Sequence, residues 1–221
     1  MQLIWSSRQG RQRASNNDAL AVGRKDTWLV CMLVDAAARS PHSQRFAHYW
    51  GRQIVAQVLQ EPLANDSHSI IALLSREQAQ LRDSFLLEIA SYCLLCLDLE
   101  TRTAQTFHVG DCLAGERQGG AISWWASPHT LNQEVPAGSR HTLTRSLNAR
   151  RFAVPDVTIR HVPPGSTLVL ATDGYWAECL LEGCPFGETQ DDASYLTLEE
   201  GPWTFNSLSD ADNSLVMTEQ V

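Results

Sequence analysis

The chain has 221 residues, 43% of them apolar, enough to bury one substantial core, and residues 1–221 read as a single domain. Its formal net charge of −8 excludes a generic nucleic-acid binder, which needs a basic face, and excludes electrostatic docking on anionic lipid. No apolar run reaches the length of a membrane span, and residues 1–8 lack a secretory leader, so the expectation is a cytoplasmic protein whose six cysteines, Cys93 and Cys96 among them, are thiols rather than metal ligands or disulfides.

In chain order, residues 1–8 read as a first strand. A basic cluster follows (Arg8, Arg11, Arg13), then a polar turn ending in Asp18. Ala19–Gly23 and Trp28–Val34 are strand-like runs, and the second ends in Asp35. Gln44–Leu59 switches to helical spacing, with Phe46, Trp50, Ile54, Val55 and Val58 three and four residues apart, and Pro62 closes it. Ser69–Leu81 is a second helix. Strands are expected at Ser91–Leu99 and Thr103–Gly110, the latter leading to Asp111. A hairpin of Leu113–Arg117 and Ala121–Ala126 turns at Gly119 and Gly120. Pro128–Ser139 reads as loop and His141–Leu147 as a short helix. Val157–Val162 is a strand. Leu168–Thr172 is another, ending in Asp173 and Gly174. After Trp176 the pattern is irregular, Glu188–Glu200 reads as a solvated acidic loop, and a last strand at Ser214–Thr218 follows Asp212. Short turns between strands favour an α+β fold of mainly antiparallel sheets flanked by helices, a four-layer α/β/β/α sandwich, over a parallel doubly wound sheet.

One device recurs: Asp18, Asp35, Asp111, Asp173 and Asp212 all sit at strand ends or in adjacent turns. If the strands bring them to one edge, they form a carboxylate cluster. Two carboxylates about 5 Å apart repel by roughly 3 kcal/mol at an effective dielectric near 20, so such a cluster stays ionised only with cations. An all-oxygen set suits Mg²⁺ or Mn²⁺, and two such ions can activate a bridging water and hold a phosphate for in-line attack. The alternative of five unrelated surface aspartates stays open on spacing alone.

The blocks around these acids resemble the metal-dependent serine/threonine protein phosphatases of type 2C. The family pattern R-x-x-N-E-D-A is matched by Arg13-Ala14-Ser15-Asn16-Asn17-Asp18-Ala19. The strand running into D-G-x-G-G is matched by Leu33-Val34-Asp35-Ala36-Ala37-Ala38. G-D-S-R corresponds to Gly110-Asp111-Cys112-Leu113, D-H-T-L to Pro128-His129-Thr130-Leu131, and L-T-R-A-L-G to Leu143–Asn148. P-G-D-x-L-L-L-x-S-D-G-L corresponds to Pro164–Tyr175, and D-N-x-T-V to Asp212-Asn213-Ser214-Leu215-Val216.

The resemblance implies a central β-sandwich flanked by helices. It implies two Mg²⁺ or Mn²⁺ ions held by Asp18, Asp35, Asp173, Asp212 and the carbonyl of Ala36, with Arg13 gripping substrate phosphate. It further implies that a hydroxide bridging the metals attacks a phosphoserine or phosphothreonine of a protein substrate, the product of a serine/threonine kinase. Asp111 would serve a third ion. That ion is expected to be weak or absent, because Ala177 stands where the family has its acidic partner and Glu178 should point elsewhere. Other departures are Asn17 for an acid, the alanine turn after Asp35, and Pro128 for the acid before His129. They motivate an alternative, a catalytically weak phosphatase-like module that regulates or binds phosphoproteins. The acidic stretch at Glu188–Glu200 suggests a preference for basic sequences around the phosphosite. His108, His129 and His161 receive no role, Trp176 is a candidate for the groove wall, and the sequence does not fix the oligomeric state.

Overall fold

The computed structural model describes residues 1–60, 66–131 and 142–218. Its elements run β1 (Gln2–Arg8), β2 (Asp18–Lys25), β3 (Trp28–Ala36), α1 (Ser43–Gln60), α2 (Ser67–Gln80), β4 (Ile89–Asp98), β5 (Thr103–Val109), β6 (Leu113–Gln118), β7 (Ala121–Trp124), β8 (Leu147–Asn148), β9 (Asp156–His161), β10 (Thr167–Ala171), α3 (Gly174–Leu181, wound in π-type turns), β11 (Ala193–Glu199), β12 (Thr204–Ser209) and β13 (Ser214–Thr218). They form two mixed sheets flanked by helices, an α+β sandwich. One sheet has the order β12-β1-β11-β10-β6-β7, the other β13-β2-β3-β4-β5-β9 with β8 beside β4. Neighbours are antiparallel except β1 with β12 and β2 with β13. No helix among the described residues is long and apolar enough to cross a membrane.

The strands of the second sheet read as unbroken apolar runs because both of their faces are covered. In β3, Val30, Met32 and Val34 face α1 and α2, whereas Leu29, Cys31 and Leu33 face the other sheet. β2 and β4 alternate in the same way, with Leu20 and Val22, and Cys93, Leu95 and Leu97, on the inter-sheet side. This parity positions the site. Continued to the strand ends, it turns Asp18, Asp35 and Ser91 toward the space between the sheets. The cover of the two outer faces is unequal. Helix α1 packs Phe46, Trp50, Ile54 and Val58 onto β2 and β3, with α2 beside it. The first sheet has α3 near one end, where Tyr175 and Phe186 pack on Tyr195 of β11.

Both early helices and the strands up to the hairpin lie within a residue or two of their expected places. Pro62 lies outside the described residues. Residues 142–147 are not helical: Thr130 bridges Leu143, and Leu147 pairs with Ala90 of β4. The larger correction concerns the acidic stretch. Ala193–Glu199 is strand β11, paired on both sides with β1 and β10, and its leucines Leu196 and Leu198 are buried between the sheets. The flanking acids hid a segment rich in strand-forming residues, Tyr195-Leu196-Thr197-Leu198.

Candidate functional site

Asp18 and Asp35 are directly opposite one another across β2 and β3, and Asp35 is in turn opposite Ser91 in β4. Ser91 Oγ accepts the backbone N–H of Asp111 at 3.2 Å, which sets the turn after β5 against the same edge. Gly110 makes that turn possible. It takes a φ of +95°, and a Cβ there would lie 2.1 Å from Ser91 Oγ. From the facing sheet, β10 leads into Thr172, whose hydroxyl donates to Asp18 Oδ2 at 3.1 Å, and Asp173 follows.

The remaining acids arrive from the segment before β11. Asp191 accepts Arg13 Nε–H at 2.5 Å on Oδ1, and Arg13 Nη2 donates to its other oxygen. Asp192 is buried and accepts the N–H groups of Gly10 at 2.9 Å and Asn17 at 2.8 Å, tying the loop between β1 and β2 to β11. Glu178 of α3 points away from the cluster, as expected, and accepts the backbone N–H groups of Gln190 and Asp191 at 2.7 and 3.2 Å. Close backbone approach seats this segment: a Cβ on Gly10 would lie 2.3 Å from the Asp191 carbonyl carbon.

A cleft of about 120 Å³ opens over the cluster, lined by Arg13, Asp35, Ala36, Asp111, Asp173 and Asp191 among others. Ala36 lies at its wall, and the turn after Asp35 avoids the left-handed region, where the only described non-glycine residues are Asp26 and Arg102. The crowding of acids is electrostatically unfavourable. Burial, then the charge of Asp192, pushes the Asp18 carboxyl well above the usual carboxylate range. Burial, then Asp18 and Asp173, does the same to Asp35. Asp111 is pushed up to about 7 by burial and by Asp173. Asp192 rises to about 6 through burial, against the pull of its two N–H donors. Asp18 Oδ1 and Asp111 Oδ1 are buried without a hydrogen-bond partner among the described residues. A set of buried carboxylate oxygens with open valences fits hard divalent cations.

The structure therefore brings Arg13, Asp18, Asp35, Ala36, Asp111 and Asp173 together. It does not bring Asp212. That residue is exposed in the bend before β13, and its charge is felt at His48 of α1. The inward place goes to its neighbour. Asn213 is fully buried, accepts from Trp5 Nε1 at 2.9 Å and Ser209 Oγ at 2.7 Å, and donates to Ser7 Oγ and the Asp18 carbonyl. Such a slot suits a neutral amide, which both donates and accepts, and not a carboxylate. Asp191 stands where Asp212 was expected. The available signal was a second acid pair, Asp191-Asp192, leading directly into a strand-forming run.

Trp176 is a brace: its Nε1–H donates to the Asp111 carbonyl at 2.8 Å. His129 clasps Gly110 from outside, donating its N–H to the Gly110 carbonyl at 2.8 Å and accepting the Gly110 N–H on Nδ1 at 3.0 Å. His108 stacks on it with centroids 4.5 Å apart, and Asp156 lies 3.1 Å from Nε2. These three could in principle ligate a metal. Arg145 Nη1 already supplies positive charge there, 2.9 Å from His129 Nε2 and 2.5 Å from Asp156. His161 is exposed on β9, away from this group.

No family model matches the chain, and no curated protein sequence does. Solved structures do. The serine/threonine phosphatase Stp1 from Staphylococcus aureus is similar over 90% of this chain and 94% of that one, at 14% identity and a TM-score of 0.73. The PPM Ser-Thr phosphatase MsPP from Mycobacterium smegmatis, in complex with cacodylate, is similar over 90% and 98%, at 15% identity and a TM-score of 0.71. RsbX, in complex with magnesium, is similar over 87% and 92%, at 14% identity and a TM-score of 0.61. At these identities the likeness is one of architecture, and the chain carries the fold of the bacterial PPM serine/threonine phosphatases.

Proposed function

We propose that the chain is a metal-dependent phosphatase that hydrolyses phosphoserine or phosphothreonine in a protein substrate made by a serine/threonine kinase. One observation carries the reading: Asp18, Asp35, Asp111, Asp173 and Asp191 converge at one end of the inter-sheet space, where Asp18 and Asp111 each keep a buried oxygen without a partner among the described residues and burial with neighbouring charge raises the pKa of Asp18, Asp35 and Asp111. Two Mg²⁺ or Mn²⁺ ions are the proposed occupants, held by Asp18, Asp35, Asp173, Asp191 and the Ala36 carbonyl, with Asp111 as a weak further site. Magnesium in RsbX, a structure of the same fold, supports the choice of ion. When bound, such ions would offset the repulsion among the acids and acidify a water for in-line attack on phosphorus.

The chain's own residues do the rest. Arg13, fixed at the cleft wall by Asp191, turns its remaining N–H groups to phosphoryl oxygens. Ser91 and Trp176 hold the Asp111 turn. Asp192 and Glu178 hold the Asp191 segment by its backbone. One water is consumed, the phosphorus–oxygen ester bond breaks, and inorganic phosphate and the free hydroxyl side chain leave.

The test is turnover of p-nitrophenyl phosphate and of a phosphothreonine peptide with Mn²⁺, with EDTA, and in Asp35→Asn. Metal-dependent hydrolysis lost in the variant is expected. A second reading, a weak or inert phosphoprotein-binding module, is favoured by one observation, the engagement of Arg13 with Asp191 in place of a ligand. Calorimetric Mn²⁺ binding without turnover on either substrate would select it.

A further inference from the structure

Beside the acid-lined cleft lies a roomier hollow of about 420 Å³ with the opposite chemistry. The two are neighbours. Leu143 lines the cleft and Thr144 begins the hollow, while Leu147 between them is paired with Ala90, another cleft residue. No acid among the described residues lines the hollow. Its polar groups are Thr144, Arg145, Ser146, Asn148 and Arg151.

The two arginines differ in a way that matters. Arg145 is built into the wall, donating to Asp156 Oδ1 at 2.5 Å and to the Val154 carbonyl, so its charge is already matched. Arg151 is exposed, and no described residue accepts from its side chain. It is nonetheless well placed. Asn148 Oδ1 accepts the backbone N–H groups of Arg150 and Arg151 at 3.0 and 3.1 Å. Gln78 of α2 donates to the Asn148 carbonyl, and Arg82 to that of Ala149 at 3.1 Å. A braced turn thus presents an unmatched guanidinium over a hollow edged by two hydroxyls, on a chain whose net charge is −8. That combination recruits a local anion and discriminates against a cation.

We propose that the hollow receives an anionic side chain, a carboxylate or a second phosphate, of the same polypeptide whose phosphorylated residue enters the cleft. The inference rests on the phosphatase reading of the cleft. Leu143 of the cleft and Thr144 of the hollow are consecutive, so the two openings adjoin and an extended substrate passes from one to the other within a few residues. The substrate class is therefore a phosphoserine or phosphothreonine flanked closely by acid or by another phosphorylated residue. This replaces the preference for basic sequences suggested by residues 188–200, where Glu188 pairs with Arg11, Asp191 with Arg13, and Asp192 is buried against the N–H groups of Gly10 and Asn17. Glu200 pairs with Arg102.

The experiment uses the full chain and a set of fluorescein-labelled phosphothreonine peptides. They carry glutamate, a second phosphothreonine, glutamine or lysine at each position within three residues of the phosphosite. With Mn²⁺, kcat/KM on the best acidic or doubly phosphorylated peptide should exceed that on its glutamine counterpart about tenfold, the worth of one charge-assisted hydrogen bond. Arg151→Ala should erase the preference and R151E should shift it to lysine, with p-nitrophenyl phosphate turnover unchanged in both. A glutamate-only or phosphate-only preference identifies which anion the hollow takes. Equal handling of acidic and glutamine peptides, or a preference that survives Arg151→Ala, overturns the proposal. If nothing is hydrolysed, p-nitrophenyl phosphate included, the phosphatase reading fails by itself. The intact peptides, compared by fluorescence anisotropy, then decide the hollow's specificity by the same contrasts.

Discussion

Glu178→Ala probes whether the acid-bearing segment before β11 depends on α3. The wild-type carboxylate is 4% exposed and accepts two backbone N–H groups, from Gln190 at 2.7 Å and Asp191 at 3.2 Å. A hydrogen bond to a charged group nets about 1.5–3 kcal/mol, and the longer of this pair is the weaker. Losing both should cost about 3 kcal/mol, roughly a hundredfold in the folding equilibrium. Glu178→Gln keeps the length and one acceptor oxygen, so about half that loss is expected. Urea unfolding of the metal-free protein, followed by tryptophan fluorescence, gives the stability difference. Calorimetric titration with Mn²⁺ gives a second readout: affinity should fall about 10- to 100-fold, because Asp191 loses the contact that orients it. Unfolding of Glu178→Ala within about 0.5 kcal/mol of the parent, the range of an ordinary surface change, would refute the reasoning.

Asp191→Asn should abolish Mn²⁺-dependent turnover, while Asp212→Asn should leave it close to wild type; the reverse pattern in a phosphate-release assay would restore Asp212 to the site. In EDTA, the folded protein holds protons on Asp111 and Asp192, pushed to about 7 and about 6, at pH values where the unfolded chain has released them. Stability of the metal-free protein should accordingly fall as pH rises from about 4 to about 7, and Mn²⁺ should flatten the slope. Thermal melts across that window that stay level in EDTA would count against this. Asn213→Ala removes a buried amide with four hydrogen bonds and strands the Trp5 N–H; we expect a loss of about 3 kcal/mol in denaturant unfolding, and a loss under about 1 kcal/mol would contradict the bracing role.

Most strands and both early helices were legible because each obeys a single period. Trp28–Val34 is apolar throughout since both faces of its strand are covered, and Ser43–Gln60 repeats its apolar residues at helical spacing. That Asp18, Asp35 and Asp173 belong to one cluster was legible because a carboxylate at the end of a buried strand needs a partner. Choosing between Asp191 and Asp212 was a different problem. Both are acids paired with a second polar residue ahead of a strand, and local pattern treats them alike. What separates them is sheet order. β11 lies centrally, beside the β10 that delivers Asp173, whereas β13 lies at the edge of the other sheet and turns Asn213 inward. The same limit hid α3, whose π-type winding gives no 3.6-residue repeat to read, and the hollow at Arg151, which exists only once Leu147 pairs with Ala90.

The two parallel pairings, β12 with β1 and β13 with β2, join the latest strands to the earliest, one in each sheet. Arg13 likewise takes its electrostatic partner from Asp191, just before β11, and Asp18 its anchorage from Asn213, just before β13. The loop that carries Arg13 and Asp18 is therefore closed by contacts 178 and 195 residues distant in sequence, whose loop-closure entropy must be met before they reward folding. Without the bend that carries Asn213, the Trp5 N–H and the Asp18 carbonyl would both lose their partner, so the early strands do not set the acids in place by themselves.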